Sequence, residues 1–517
     1  MEKILILDFG GQSTQLIGRR IRQLGVYSEI APGDARLESL PLEGARGIIL
    51  SGSPYSVYEP GAPVVDRRIY EQGVPILGIC YGFQRIAADQ GGRVEPLGRK
   101  EFGRARVTLT GRTALFARIP ERRFLSWMSH GDSVTRFPDG FSAVGRSDNN
   151  LPAAFVNEEK RTWGVQFHPE ASHCQYGMEV LEAFAVDICG ARREWSMRSF
   201  FSVERAELVK RVGPKKVVLL ISGGVDSCVV AALLLKSIPS EQVHLMYIDT
   251  GLMREGESEE VRESLAGLGA RHVHIVDASE RFYEGLAGVE DPEQKRRIIG
   301  DLFMNVQEQE IANLGIRDSF LAQGTLYTDL IESGRGVGNK ANVIKTHHNV
   351  RSPLVEAARQ KGLIIEPLNS LYKDEVRALG LELGLPPRIV SRHPFPGPGL
   401  AVRILGEVTK EKCELLRRAD LLFLTELRSR GLYDSIWQAF CVLLPVRSVG
   451  VSGDMRRYGH VLALRAVASL DAITADVYPM AMRDLLEISS LITNRIPEIG
   501  RVVYDVSSKP PATIEWE

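Results

Sequence analysis

At 517 residues the chain exceeds what one hydrophobic core organises, and about 150 residues per domain gives roughly three to four domains. With 44% hydrophobic and 25% charged residues it has ordinary globular composition, which excludes a disordered chain. The 64 Lys and Arg balance 65 Asp and Glu to a net charge of −1, which speaks against a dedicated nucleic-acid binder, and six Cys without a Cys-x-x-Cys exclude a disulfide framework or zinc ribbon.

The run Ile4-Leu5-Ile6-Leu7 is too short for the apolar region of a secretion signal. The longest unbroken apolar run, residues 228–235, falls well under the ~18 residues of a membrane-spanning helix. A soluble protein of a reducing compartment, the cytoplasm, is expected. The first 190 residues alternate β-rich runs (4–7, 47–50, 75–79) with helical stretches, each run followed by Gly-rich punctuation. Continuous apolar runs separated by helices predict a doubly wound, mainly parallel α/β sheet. A closing helix is expected over 179–188, stopped by Cys189-Gly190.

Gly78-Ile79-Cys80-Tyr81-Gly82 lies between a strand and a helix over 83–89. This is the spacing of a nucleophile elbow, with Cys in place of Ser. A thiol at a helix N-terminus is favoured as thiolate. The N–H of Tyr81 is the expected oxyanion donor, and the loop Ser51-Gly52-Ser53-Pro54 supplies the second at Gly52. Gln166-Phe167-His168-Pro169-Glu170 follows a strand over 162–165 and offers His168 as base with Glu170 to orient it. A lone Cys after a strand is more often packed and inert. The two motifs in this order favour catalysis.

A second doubly wound α/β unit follows: strand 215–221, helix 229–237, strand 244–248, helix 257–268 and strand 272–276. Between its first strand and helix stands Ser222-Gly223-Gly224-Val225-Asp226-Ser227. Two glycines admit phosphate oxygens to backbone N–H groups at a helix N-terminus. Ser222 and Ser227 add hydroxyls, and Asp226 is suited to Mg²⁺. No Gly-Lys-Ser/Thr follows, so this is not a Walker loop. Asp249 ends the next strand, where ligand contact and a turn cap are equally open readings. Cys228 is expected to pack. The unit ends at Arg392-His393-Pro394-Phe395-Pro396-Gly397-Pro398-Gly399, too rich in Pro and Gly to continue a helix or central strand. Beyond it, helix 409–430 and strands 440–444, 449–451, 461–465 and 501–505 predict a small α+β domain.

The elbow and Phe-His-Pro-Glu strings resemble the class I glutamine amidotransferases over residues 1–190. The resemblance implies that Cys80 attacks the glutamine amide to release ammonia, that Gln84 contacts glutamine, and that Ser129-His130-Gly131-Asp132 supports or contacts the site. The Ser222–Ser227 string resembles the ATP pyrophosphatases, which adenylylate a substrate oxygen. Ammonia release joined to adenylylation points to an amidation.

Residues 392–400, Leu444-Pro445-Val446-Arg447-Ser448-Val449-Gly450-Val451 and Ser508-Lys509-Pro510-Pro511-Ala512-Thr513-Ile514-Glu515-Trp516-Glu517 make the chain similar, end to end, to the GMP synthetase family. That resemblance implies XMP adenylylated on its C2 oxygen and converted by ammonia to GMP, AMP and pyrophosphate. It implies ATP and Mg²⁺ as cofactors, with glutamine, XMP and ATP as small-molecule partners and neither nucleic acid nor membrane. ATP contacts then fall on Ser222, Gly223, Gly224, Val225, Asp226, Ser227, Cys228, Asp249 and Lys373. XMP contacts fall on Arg296, Gln438, Lys509 and Glu515. Three domains follow (1–194, 195–393 and 394–517), the last carrying a homodimer contact. Residues 344–349 match the family's lid, but Arg351-Ser352-Pro353 replaces Gly-Gly-Leu-Pro, and Thr328 stands where Pro is expected. The competing readings are another glutamine-fed ATP pyrophosphatase such as an NAD synthetase, an RNA-thiolating protein, and a scaffold without activity.

Overall fold

A computed structural model describes residues 1–11, 13–316, 319–327, 329, 358–452, 455–469 and 475–517. The lid 344–349, residues 351–353 and Thr328 lie outside the described residues. The chain divides into two compact units, one built on Met1–Phe200 and the other on Phe201–Leu326 with most of the chain beyond it.

The first unit holds strands β1 (Lys3–Asp8), β2 (Tyr27–Pro32), β3 (Ala45–Leu50), β4 (Ile76–Ile79), β5 (Arg93–Leu109), β6 (Arg123–Arg136), β7 (Ser142–Ser147), β8 (Pro152–Asn157) and β9 (Thr162–Val165). They form one sheet in the order β2-β1-β3-β4-β9-β8-β7-β5-β6. The first five are parallel, and the pairings from β9 to β6 are antiparallel. Alternate residues of the parallel strands feed two cores. Ile4, Ile6, Ile49 and Leu77 join one apolar cluster, and Leu5, Leu7, Ile48 and Ile76 join another. A sheet covered on both faces needs both sets. The antiparallel extension carries no such runs: β5 is rich in Arg and Glu, so its strands were not evident from apolar periodicity. The closing helix is α-helical over Gly177–Glu182, continues as a π-helix over Ala183–Ile188, and ends where Gly190 turns left-handed at φ +64°.

The second unit contains a parallel sheet of β10 (Val217–Ile221), β11 (Val243–Asp249), β12 (His272–Asp277), β13 (Phe320–Ala322) and β14 (Ile364–Ile365), in the order β12-β11-β10-β13-β14. The order reverses at β10, so the loop after β10 opens at the switch point where such sheets bind ligands. A second sheet pairs β15 (Gln438–Ser452) and β16 (Met455–Ala468) as a hairpin, with β17 (Asp476–Val477) and β18 (Ile499–Tyr504) on β16. The strands expected at 440–444 and 449–451 are one strand. Its register shifts between Leu443 and Arg447, around Pro445, which has no N–H for the ladder. The helix Met482–Arg495, which carries the chain to the parallel strand β18, was not expected. One apolar cluster runs from Met246 and Ile248 through Leu400, Leu416 and Phe423 to Leu462 and Ile488. Residues beyond 394 therefore share a core with the nucleotide-loop sheet.

His393 fastens the Pro-rich string to that core. Its Nδ1 accepts the Ala439 N–H at 3.1 Å, its Nε2 donates to the Tyr433 carbonyl at 3.0 Å, and its ring stacks on Tyr433 at 3.8 Å. Burial pushes its pKa down to about 4, so the folded chain holds it neutral. Below about 6.5 the unfolded chain takes up a proton that the fold refuses. Stability from this group is complete above that pH and is lost as pH falls toward about 4, by up to about 1.4 kcal/mol per pH unit. Urea titrations through this window should show that His393→Gln lacks this part of the slope; equal slopes in both proteins would contradict it.

Candidate active sites

The first site is a turn. Cys80 joins β4 to the helix Tyr81–Asp89 at φ +56°, a strained conformation for a residue with a Cβ. A Cβ on Gly82 would stand 2.2 Å from the Leu50 carbonyl oxygen, and one on Gly78 2.5 Å from the Gly82 carbonyl. The two glycines are there for close approach. The Cys80 N–H donates to the Val165 carbonyl at 2.9 Å and the Gly82 N–H to the Ser51 carbonyl at 3.0 Å, which pins the elbow to its neighbours.

His168 follows β9, its N–H donating to the Trp127 carbonyl at 2.9 Å. Its Nδ1 lies 2.7 Å from Oε1 of Glu170, a carboxylate with no exposed surface. Burial disfavours the His168 cation, yet the Glu170 carboxylate and the Cys80 sulfur outweigh it and hold the imidazole well above the ordinary histidine range. Its Nε2 is buried and forms no hydrogen bond among the described residues. A Cβ on Gly52 would lie 3.5 Å from His168 Cε1 and 3.8 Å from Cys80 Cβ, so that backbone faces both side chains. Cys80, Gly52, Tyr81, His168 and Glu170 therefore converge.

Gln84 is buried beside them, and its Nε2 donates to the Asp132 carbonyl at 3.0 Å and to Gln166 Oε1 at 3.1 Å. Within Ser129–Asp132, His130 bridges the Asp132 carbonyl (2.8 Å) and Glu101 (3.1 Å), and the Asp132 carboxylate accepts the Tyr58 hydroxyl at 2.6 Å. These side chains support the site from within the fold. The Ser129 carbonyl, at the head of that segment, lies 3.6 Å from Cys80 Sγ.

The second site is the loop after β10. Gly223 has φ +74°, and a Cβ there would lie 2.6 Å from Glu257 Oε1. Serines tie the loop to itself: the Ser222 N–H donates to Ser227 Oγ (3.2 Å), and the Ser227 hydroxyl donates to the Gly224 carbonyl (3.0 Å). Val225 begins the helix Val225–Ser237. Lys373 arrives from the start of helix Lys373–Glu382 with Nζ 2.6 and 2.7 Å from the two Asp226 carboxylate oxygens. Asp249 accepts the Gly251 N–H (2.9 Å) and the Ser258 hydroxyl (2.6 Å), so both its oxygens serve local turns. Cys228 is buried, and burial pushes its thiol up to about 12. Arg392, Glu257 and Glu260 were not expected here. Arg392 donates to the Gly223 carbonyl at 2.9 Å and to Glu257 at 3.0 Å, and reaches Glu260 with its other nitrogen. Arg392 opened the Pro-rich string, but no spacing rule ties it to a loop so far back in the chain.

The third cluster joins two of the four expected XMP contacts. Glu515 accepts from Gln438 Nε2 at 2.7 Å and from Nη2 and Nε of Arg403, at 2.9 and 3.0 Å. Arg403 has no exposed surface, and its guanidinium lies over the Phe440 ring at 4.1 Å. It was not singled out from sequence. Lys509 pairs its backbone with Ala475, and Arg296 pairs with Glu293. The buried Lys295 holds Glu517 at 2.6 Å.

Residues 5–188 match the family model of the class I glutamine amidotransferases, 203–288 that of NAD synthase, and 425–516 that of the GMP synthase C-terminal domain. The chain is 49% identical to the glutamine-hydrolysing GMP synthase of Enterococcus faecalis, covering 100% of this chain and 98% of that one. It is 49% identical to the enzyme of the same description from Aquifex aeolicus and 50% to that of Symbiobacterium thermophilum, with 99% of each chain covered. The chain belongs to the glutamine-hydrolysing GMP synthases. Glutamine-dependent GMP synthesis, a carbon–nitrogen ligation of purine nucleotide biosynthesis that consumes ATP, is the activity of this family and of this chain. The NAD synthase match stops at 288, and full-length identity to GMP synthases removes NAD synthetase as a competing reading.

Glu170 raises the His168 pKa, so removing its charge should lower it. In Glu170→Gln the limb of the glutamine-hydrolysis pH profile that reports His168 should move to lower pH, with kcat/KM reduced. An unmoved limb would separate Glu170 from the titration of His168.

Proposed function

We propose that Cys80, His168 and Glu170 form the glutaminase centre of this GMP synthase. The observation that carries the reading is the Glu170–His168 pair seated against an elbow cysteine. The Cys80 sulfur attacks the side-chain carbonyl carbon of glutamine, and the N–H groups of Tyr81 and Gly52 stabilise the oxyanion. His168 delivers a proton to the leaving nitrogen, and ammonia departs from a glutamyl thioester. Water, deprotonated by His168, then releases glutamate and restores the thiol. Gln84 lines the same pocket, where its amide keeps the Asp132 carbonyl and Gln166 in place.

In the second centre, the Ser222–Ser227 loop and the N-terminus of its helix hold the ATP phosphates. The N–H groups of Gly223, Gly224 and Val225 and the hydroxyls of Ser222 and Ser227 face anionic oxygen, with Cys228 packed behind. Lys373 leaves Asp226 for the phosphates, and the XMP C2 oxygen attacks the α-phosphorus as pyrophosphate leaves. Ammonia adds at C2, and AMP departs with the former C2 oxygen. Asp226 is a hard oxygen donor on the phosphate side, the kind of single carboxylate that holds Mg²⁺ together with a nucleotide, and the ion would neutralise the phosphate charge. Asp249 orders the turn beside the loop.

XMP falls to residues 394–517 and Arg296. Glu515 and Gln438 read the xanthine ring, and Arg403 holds the Glu515 carboxylate in place as an acceptor of ring N–H groups. Lys509 and Arg296 supply charge for the monophosphate. The division of labour follows residues 1–194, 195–393 and 394–517. The last stretch also suits a homodimer. Val449 and Tyr458 stand opposite each other on the β15–β16 hairpin and are exposed with Val451, and Val503, Val506, Met482 and Leu486 are exposed nearby in sequence. No helix among the described residues is long and apolar enough to cross a membrane, and all substrates are small and water-soluble, which supports a cytoplasmic enzyme.

Cys80→Ala should lower GMP formation from glutamine by at least about ten-thousandfold and leave synthesis from ammonium salts intact. Joint loss of both activities in a folded variant would overturn the assignment. Asp226→Asn should reduce pyrophosphate release from ATP and XMP by at least about a hundredfold while glutamine hydrolysis persists. Unchanged pyrophosphate release would remove Asp226 from the site.

A further inference from the structure

Arg392 stands at one end of a continuous polar path. Its guanidinium has little exposed surface and three acceptors: the Gly223 carbonyl at 2.9 Å, Glu257 Oε1 at 3.0 Å and Glu260. Gly223 is the left-handed residue of the phosphate loop, and Glu257 occupies the space where its Cβ would be. Glu257 also accepts the Arg254 N–H at 3.1 Å. The Arg254 guanidinium reaches forward to the carbonyls of His393 (3.1 Å) and Pro394 (3.2 Å). The Pro394 carbonyl in turn accepts from Gln438 Nε2 at 3.4 Å, and the same nitrogen donates to Glu515 at 2.7 Å. The backbone from 392 to 394 closes the path. His393 anchors that stretch through Tyr433 and Ala439.

The Gly223 carbonyl and the Glu515 carboxylate are thus joined through Arg392, Glu257, Arg254, the 392–394 backbone and Gln438. Moving the Gly223 carbonyl toward or away from a bound phosphate shifts Arg392. That shift reaches the 392–394 backbone, and through Pro394 it alters where Gln438 and Glu515 sit. The converse also holds, because coupling between two binding equilibria is reciprocal.

We propose that Arg392 is a positioning residue that couples ATP binding at the phosphate loop to XMP binding at Gln438 and Glu515. The inference rests on the assignment of those two residues to XMP. Arg392 touches neither substrate; it acts through the Gly223 carbonyl on one side and the Pro394 carbonyl on the other. Its planar fork serves three acceptors, which a lysine ammonium on an unforked stem cannot reproduce.

The test measures the coupling itself. Calorimetry on the full-length protein with Mg²⁺ gives the affinity for α,β-methylene ATP, an analogue resistant to cleavage at the reacting bond, without and with saturating XMP. In the unaltered protein XMP should tighten the analogue by at least about fivefold. In Arg392→Lys that ratio should fall to about 1. A ratio unchanged from the unaltered protein overturns the proposal, and so does a ratio of 1 in the unaltered protein. Lower thermal stability alone would not change the ratio. If Arg392→Lys does not fold, Glu257→Gln takes its place: it keeps the side-chain shape and removes the charge that holds Arg392, and the same two outcomes apply. XMP binding by Glu515→Gln is measured separately. Undiminished binding there refutes the site assignment, whereas the Arg392 ratio judges the coupling.

Discussion

A parallel strand that must become a helix within one to three residues imposes its geometry on both turns. The turn has to bend back before the helix can begin, and something in it must accept a left-handed backbone. At the phosphate loop the strain falls on Gly223, which bears it without cost, and the backbone N–H groups are left to meet an anion. At the elbow it falls on Cys80 itself, at φ +56°, while Gly78 and Gly82 clear the space around it. The position of the strain separates the two chemistries: where a side chain must react, the reacting residue carries it; where backbone must bind, glycine carries it.

The C-terminal stretch is held by a different device. Lys295, Arg403 and Arg465 have fully buried side chains, and each closes on the tail: Lys295 on Glu517, Arg403 on Glu515, and Arg465 on the carbonyls of Ser507 (2.6 Å) and Thr513 (3.1 Å) with the Asp505 carboxylate. Few tail side chains enter the core; Ile514 is one that does. Cations taken out of water are expensive, and removing one partner of such a pair costs about 3–5 kcal/mol. The tail is therefore held by polar groups that define one arrangement, and Glu515 is fixed within it by Arg403.

The parallel cores and both catalytic turns were legible in the sequence because they rest on local patterns. Apolar runs give strands buried on both faces, and Gly-x-Cys-x-Gly or Ser-Gly-Gly-Val-Asp-Ser states its turn within six residues. Lys373 and Glu515 came from resemblance, and geometry sets Lys373 on Asp226 and Glu515 beside Gln438. What was not legible is long-range. Arg392, Glu257 and Arg403 act on partners more than 100 residues away, and a buried arginine looks like any surface arginine in a linear string. The antiparallel strands β5 to β7 also escaped, because charged residues interrupt them where β1, β3 and β4 each hold a short unbroken apolar run. The two strands expected at 440–444 and 449–451 are one, with an irregular register around Pro445 that interrupts the apolar run but not the strand.

All six cysteines are free and buried. Burial raises the thiols of Cys174 to about 11 and of Cys228 and Cys413 to about 12, and it raises Cys189 and Cys441 as well. Such thiols are poor targets for peroxide and electrophiles, which react with thiolate. Cys80 is set apart by its place on the strained elbow, where it faces the Gly52 backbone together with His168. Burial thus withdraws the five thiols outside the elbow from redox chemistry, with no disulfide needed to protect them.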